Sequence, residues 1–128
     1  LELVLVKNPS GFRLGLSSFS PEGYATMIAI NDNYADGRDM SWLWDVSFES
    51  LAKSGVSMIS GIRAYDMALR LAYDNIPTTT VIPDLKRALK DFIATHPHQP
   101  KRIFCTYTAM LALRREINTI TPVKAIDS

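Results

Sequence analysis

The chain alternates short apolar runs with longer segments whose apolar residues recur at helical spacing. The apolar runs are β-prone and largely lack polar alternation, a pattern typical of strands buried on both faces. They predict five strands, at residues 3–6, 24–30, 56–59, 78–82 and 102–107. Helices are predicted between them at 9–20, 62–73, 85–95 and 109–117, with a shorter one at 48–53. Because strands alternate with helices, we predict a single three-layer α/β domain with a mostly parallel sheet.

The predicted helices differ in how their apolar residues are distributed. The segment 62–73 is apolar on nearly every side, so it is either buried or lies between the sheet and a partner surface. The helix after Asp84 is amphipathic, and Asp84 is placed to cap it. The first helix is predicted to begin at Asn8-Pro9. Its apolar residues are Phe12, Leu14, Leu16 and Phe19. The tail from Asn118 is expected to be loosely held.

The segment 31–45, which follows the second predicted strand, holds four aspartates, two asparagines and two tryptophans. Carboxylates can bind a metal ion, accept a hydrogen bond from a ribose hydroxyl, or orient a histidine. They also favour ordinary turns, which is the alternative interpretation of each one taken singly. Ser41 is predicted to cap a helical turn that carries Trp42 and Trp44. Because these two side chains point in different directions, we expect one in the core and the other facing a partner.

Polar residues also follow other predicted strands, at the edge where open α/β sheets bind ligands. Candidates for substrate contacts are Lys7, Asn8, Arg63, Thr106 and Tyr107. Each has a simpler interpretation. Lys7 is then a solvated lysine, Asn8 is a helix cap, and Arg63 forms an ion pair with Asp66. The hydroxyls of Thr106 and Tyr107 then only cap the next helix. His96 and His98 lie in a Pro-rich loop on the opposite edge, so no metal site is predicted from them.

Composition narrows the function classes. The net charge is +1 over 128 residues, which gives no general argument for binding nucleic acid or a membrane surface. The single cysteine, Cys105, lies in an apolar run and is predicted to be a buried core thiol. The chain has no phosphate-binding glycine loop, no transmembrane run and no signal peptide, so a cytoplasmic location is expected. Its start at Leu1 suggests a domain cut from a longer protein.

Four strings resemble the C-terminal domain of the MurT family of Mur-ligase-like proteins. They are LVKNPSGF at 5–12, NDNYADGRDMSWLWD at 31–45, SGIRAYDMALRL at 60–71 and TYTAM at 106–110. The resemblance covers the chain from Leu3 to about Ile117, and the long acidic string is its most specific part. It implies a Rossmann-like fold like that of Mur ligase C-terminal domains.

The resemblance also implies an activity. MurT-type subunits use ATP and Mg²⁺ to activate the α-carboxylate of the D-glutamate in the lipid II stem peptide. Ammonia from a GatD-type glutaminase partner then forms the amide. The ATP-binding central domain with its P-loop lies outside this chain. By the resemblance, the chain alone is therefore inactive, and other domains hold most of the ATP and Mg²⁺.

Site residues follow from the same resemblance. Ordinary Mur ligases carry an Asp-Tyr-Ala-His-like loop near the nucleotide, which makes Asp32, Asn33 and Tyr34 candidate cofactor contacts, with Asp36 at the position of the histidine. An aspartate of this domain is also implied to complete the Cys-His pair of the glutaminase. The resemblance does not give its position, and Asp39 and Asp45 are the catalytic candidates because they flank the tryptophans.

Two other hypotheses remain open from the sequence. The first is a non-catalytic interaction module, in which the segment 62–73 and the tryptophans form a protein-binding face. The second is a free-standing α/β domain that binds a small molecule.

Overall fold

The computed structural model describes residues 1–37 and 39–120. Its centre is a sheet of five strands, in which every paired strand is parallel to its neighbour. The strands are β1 (Glu2–Leu5), β2 (Ala25–Ala29), β3 (Val56–Ser60), β4 (Thr78–Val81) and β5 (Lys101–Cys105). They lie in the order β1-β5-β2-β3-β4, which confirms the predicted α/β class with a parallel sheet.

Helices cover both faces of the sheet, as the three-layer prediction requires. They are α1 (Pro9–Ser18), α2 (Ala64–Tyr73), α3 (Leu85–Thr95) and α4 (Tyr107–Ile120). Phe12 of α1 and Met67 of α2 belong to the core on one face, whereas Phe92 of α3 and Leu113 of α4 belong to the core on the other. Short 3₁₀ turns at Tyr34–Asp36, Ser41–Asp45 and Glu49–Leu51 replace a full helix between β2 and β3.

The distribution of helices follows from the strand order. The chain moves across the sheet in one direction from β1 through β4 and then returns to place β5 between β1 and β2. Crossovers between parallel strands are right-handed, so a reversal of direction transfers the connecting helix to the opposite face. This is why α3, which joins β4 to β5, lies on the other side of the sheet from α1 and α2.

Local sequence signals set several element ends. The Asn8 side chain accepts a hydrogen bond from the Gly11 N–H at 2.8 Å, and the Asp84 side chain accepts one from the Arg87 N–H at 3.2 Å, so both predicted caps are confirmed. Gly61 has a φ of +97°, and a Cβ there would collide with the backbone carbonyl of Ile30. Only glycine therefore lets the turn after β3 pass this close to the end of β2.

Several predicted boundaries were wrong. The last strand ends at Cys105, because the Thr106 carbonyl already accepts from the Met110 N–H at 2.9 Å and α4 begins at Tyr107. Asn118 lies in the last turn of α4, not in a loose tail. Leu14 points outward and is 66% exposed, so it does not line the core with Phe12. The predicted helix at 48–53 is a single 3₁₀ turn. The rest of the predicted tail, residues 121–128, lies outside the described residues.

Cys105 is fully buried in the core, as predicted. None of the helices in the described part of the chain combines the length and the apolar character needed to cross a membrane.

Candidate functional site

Asn31 joins three loops at the carboxyl edge of the sheet. Its backbone N–H donates to Thr106 Oγ1 at 2.8 Å, and its side-chain amide donates to Thr108 Oγ1 at 3.0 Å. Its Oδ1 accepts from the Ile62 N–H at 2.9 Å. One buried side chain therefore holds together the segments that follow β2, β3 and β5. Sequence reasoning assigned it no role, although a polar residue directly after a buried strand is a signal for one.

The Asp36 carboxylate accepts hydrogen bonds from other residues of the chain. It accepts hydrogen bonds from the Thr108 N–H at 2.7 Å, from the Thr108 hydroxyl and from the Asn33 N–H at 3.1 Å. The Asn33 side-chain amide in turn donates to Thr108 Oγ1 at 3.1 Å. Because Asp36 sits at the N-terminal turn of α4, it also complements the helix dipole. Asp36 thus fixes the loop that carries the predicted cofactor contacts, and its own contact with a nucleotide stays a prediction.

The remaining predicted cofactor contacts, Asp32 and Tyr34, lie in the same loop as Asp36. Tyr34 is 89% exposed, so its ring is presented to solvent at the edge of the sheet. Asp32 lies 3.8 Å from the Arg63 guanidinium, and Arg63 Nε lies 3.0 Å from Asp66 Oδ2. The predicted Arg63–Asp66 pair is confirmed, and Arg63 links the loop after β2 to the start of α2.

Two of the predicted substrate contacts share a cavity of about 260 Å³. Lys7 and Tyr107 line it together with Val6, Ala35 and Asp36. The other predicted substrate residues lie elsewhere: Asn8 caps α1, Thr106 is buried under Asn31, and Arg63 faces Asp32. The structure therefore brings Lys7 and Tyr107 next to Asp36, but it does not collect all five substrate candidates into one pocket.

Met40, not Ser41, is the N-cap of the 3₁₀ turn Ser41–Asp45, and it makes no side-chain capping hydrogen bond. The prediction that Ser41 caps this turn was wrong, because Ser41 is the first residue of the turn itself. Asp39 Oδ1, just before the N-cap, accepts a hydrogen bond from the Ser41 N–H at 3.0 Å. That backbone hydrogen bond, aided by one from the Ser41 side chain, lowers the pKa of Asp39 below its ordinary value. Asp39 is therefore an exposed carboxylate whose charged form is favoured by hydrogen bonds from Ser41.

The two tryptophans of this turn face different environments, as predicted. Trp42 packs against the core, with its ring centroid 6.1 Å from that of Phe12. Trp44 is 47% exposed and meets Tyr73 of α2 edge-on, with ring centroids 5.3 Å apart. The Asp45 side chain is exposed at the end of the same turn.

Arg70 fixes the turn Ser41–Asp45 against α2, a role that sequence reasoning missed. Its Nε donates to the Leu43 carbonyl at 2.9 Å, and its Nη2 donates to the Val46 carbonyl. Its Nη1 lies 2.9 Å from Asp74 Oδ1, and its guanidinium carbon lies 5.1 Å from the centre of a Trp44 ring. The available signal was a lone arginine in an apolar helix with an aspartate four residues later.

The Arg70–Asp74 pair makes stability depend on pH. The hydrogen bond from Arg70 is the main cause that lowers the pKa of Asp74 below 3.8, and the Phe48 N–H adds to it against the opposing effect of desolvation. The unfolded chain then binds more protons than the folded chain below about pH 4. We expect the free energy of unfolding, measured by urea titration, to fall as the pH drops from 5 through the folded-state pKa.

Asp74→Asn is expected to weaken this acid dependence, whereas Asp66→Asn, which removes one carboxylate from an exposed ion pair, is expected to leave it intact. Equal acid dependence in the wild type and Asp74→Asn would show that the Arg70–Asp74 pair does not contribute to it.

No group of three His, Cys, Asp or Glu side chains that could hold a metal ion occurs in residues 1–37 and 39–120. His96 and His98 lie in the loop before β5, at the amino edge of the sheet and away from the residues described above.

Comparison with known proteins gives consistent matches. A family model described as MurT ligase C-terminal matches residues 5–110. The chain is 35% identical over 118 residues to a Streptococcus pneumoniae (strain ATCC BAA-255 / R6) protein named lipid II isoglutaminyl synthase (glutamine-hydrolyzing) subunit MurT, covering 88% of this chain and 26% of that protein. It is 38% identical over 82 residues to the Staphylococcus aureus (strain COL) protein of the same name, covering 61% and 19%. The chain thus spans about a quarter or less of the length of these curated relatives.

Proposed function

Because the chain belongs to the MurT ligase C-terminal family, as its four sequence strings indicated, we propose that it serves an ATP-dependent amidation. The substrate is the D-glutamate α-carboxylate of the lipid II stem peptide, and the ammonia comes from a GatD-type glutaminase subunit. The relatives are named as glutamine-hydrolyzing synthase subunits, which supports this assignment. The chain acts as the C-terminal part of the ligase subunit and depends on the rest of that subunit for activity.

The observation that supports this function most directly is the Asp39 carboxylate. A cysteine-histidine pair that hydrolyses glutamine needs a group that holds the imidazole in the right tautomer and stabilises its cation. Such a group must be ionised, exposed to the partner and fixed in orientation. Asp39 is exposed, and the hydrogen bond from the Ser41 N–H favours its charged form, so it is our first choice over Asp45.

The loop at 32–36 is proposed to face the nucleotide. When bound, ATP with Mg²⁺ supplies the phosphoryl group that activates the substrate carboxylate toward ammonia. The exposed Tyr34 ring suits stacking or a hydrogen bond to the nucleoside, and Asn33 and Asp36 hold the loop in place through Thr108. In keeping with the family assignment, we assign Mg²⁺ and most phosphate contacts to the rest of the subunit.

The proposed function is tested with the complete ligase subunit and the glutaminase of the same organism. Glutamine hydrolysis is measured with the glutaminase alone and with both subunits. Amide formation on lipid II is then measured by mass spectrometry with and without ATP. We expect the ligase subunit to stimulate hydrolysis and the amide to require ATP. The proposal fails if the subunits bind but neither activity appears.

A further inference from the structure

Charged side chains are distributed unequally between the two helical layers, although the net charge of the chain is only +1. In residues 9–76, which supply α1, α2 and the loops that pack with them, five acidic and two basic side chains are exposed among those that the structure describes. In α3 and α4, on the other face of the sheet, every exposed charged side chain is basic. They are Lys86, Arg87, Lys90 and Arg115, and we define these four residues as the basic face.

Few acidic groups oppose the basic face. Asp91 and Glu116, the two acidic residues of α3 and α4, are partly buried. Asp84, just before α3, is exposed, and its Oδ2 accepts a hydrogen bond from the Arg87 N–H. Among residues 1–37 and 39–120, no ion pair joins a side chain of the basic face to a carboxylate. The positive charge of the basic face is therefore available to a partner outside the chain.

The side chains of the basic face share one surface. Lys86 and Lys90 are four residues apart in α3, so they lie on the same side of the helix, and Arg87 is one turn before Lys90. Lys86 and Arg115 line the same cavity, of about 620 Å³, which joins the two helices. Asn31 lines this cavity as well. The basic face therefore adjoins the carboxyl edge of the sheet, where the candidate site lies.

An anionic lipid bilayer fits this surface. Clusters of lysines and arginines on a helical surface are typical of binding to anionic lipid headgroups, and each cation strengthens binding about fivefold. Leu111 lies four residues before Arg115 in α4 and is 38% exposed, so an apolar side chain is available beside the cations to enter the headgroup region. A nucleic acid also attracts cations, but the substrate of the proposed function is carried by a lipid, which makes a bilayer the partner that the reaction needs.

We propose that the basic face of α3 and α4 holds this domain against an anionic bilayer. This inference rests on the proposed function, in which the substrate is attached to a lipid. Asp39 and Asp45 are exposed on the opposite layer, and repulsion from anionic headgroups turns that layer away from the bilayer. The unequal charge of the two layers thus orients the domain, with the carboxyl edge next to the lipid-bound substrate and Asp39 accessible to the glutaminase.

Membrane binding is tested by co-sedimentation of the complete ligase subunit with vesicles made of equal parts phosphatidylglycerol and phosphatidylcholine. Pure phosphatidylcholine vesicles are the uncharged reference. The variants are Lys90→Gln and the double variant Lys86→Gln with Lys90→Gln. Lys53→Gln is the matched control, because it removes one exposed lysine from the opposite layer. Glutamine favours a helix about as well as lysine, so circular dichroism should show unchanged helix content.

We expect the wild type to bind the anionic vesicles and not the uncharged ones, and added salt to weaken this binding. Lys90→Gln should lower the vesicle association constant about fivefold and the double variant about 25-fold, whereas Lys53→Gln should leave it unchanged. In the amidation assay, the double variant should raise KM for lipid II in these vesicles. It should keep the wild-type kcat and KM for a soluble analogue that lacks the lipid chain, because its catalytic groups are intact.

Equal binding of the wild type and the double variant to anionic vesicles would overturn the membrane proposal and leave the proposed function standing, as would wild-type binding that does not depend on phosphatidylglycerol. If the double variant keeps vesicle binding but loses binding to a single-stranded RNA probe, the basic face binds nucleic acid and the membrane proposal is wrong. Absence of ATP-dependent amidation of both substrates in the wild type would overturn the proposed function itself. Vesicle binding needs no catalysis, so it decides the membrane proposal separately.

Discussion

Asp39→Asn is expected to lower the glutamine-hydrolysis rate of the assembled complex by a factor on the order of 10⁴, by analogy with loss of the orienting carboxylate in serine proteases. Asparagine keeps a side-chain oxygen that can accept from the Ser41 N–H, so the turn should keep its shape. It loses the negative charge that holds the partner's imidazole in one tautomer and stabilises its cation. The rate is measured at saturating glutaminase, so that a change in the affinity between the two subunits does not alter the measured rate.

Asp45→Asn is the matched control, since it removes the same charge at the other end of the same turn. The Asp45 side chain is exposed, and it is the Asp45 backbone carbonyl that accepts from Arg13 Nη2, at 2.7 Å. We therefore expect a rate near that of the wild type. A wild-type rate for Asp39→Asn would exclude Asp39 as the orienting group, and a loss only in Asp45→Asn would transfer that role to Asp45.

Arg70→Met is expected to lower the free energy of unfolding by about 3–5 kcal/mol, the usual cost of removing one partner from a buried ion pair. Methionine fills much of the volume and favours a helix, so the loss reports the polar contacts. Asp74 loses its cation, and the Leu43 and Val46 carbonyls lose their donor. Urea unfolding monitored by tryptophan fluorescence measures the change.

A double variant, Arg70→Met with Asp74→Leu, provides the control for this prediction. If the cost comes from the uncompensated Asp74 carboxylate, the double variant should recover part of the stability, which a double-mutant cycle will show. A loss below about 1 kcal/mol in Arg70→Met would show that solvent replaces these contacts and that Arg70 does not hold the turn.

The order and type of the main elements could be predicted because they depend on local sequence. Apolar runs and caps such as Asn8 and Asp84 act within a few residues, and both caps form as expected. The end of β5 and the beginning of α4 could not be placed, because both depend on the contacts of Thr106. Its N–H donates to the Ala29 carbonyl at 3.1 Å and its hydroxyl accepts from Asn31, and neither contact is visible in a local window.

The polar residues after the strands were expected to meet at one edge of the sheet, and they do, but the hydrogen bonds among them were not foreseen. Asp36 was predicted as a cofactor contact, but the hydrogen bonds that its oxygens accept from Thr108, which lies 72 positions later, were not predicted. Arg70 looked like part of an apolar helix, whereas it reaches carbonyls 27 and 24 positions earlier. Hydrogen bonds of this kind are set by the packing of distant segments, and no spacing rule predicts them.

The position of β5 in the sheet has a consequence for how the protein forms during synthesis. In the described part of the chain β1 pairs only with β5, and Glu2 and Arg102 are in register although they lie 100 positions apart. As the chain leaves the ribosome, β2, β3 and β4 can pair early, but β1 has no neighbouring strand until residues 101–105 emerge. β1, the first strand of this domain to be made, is thus among the last to be paired, and its apolar residues lack their native neighbours until then.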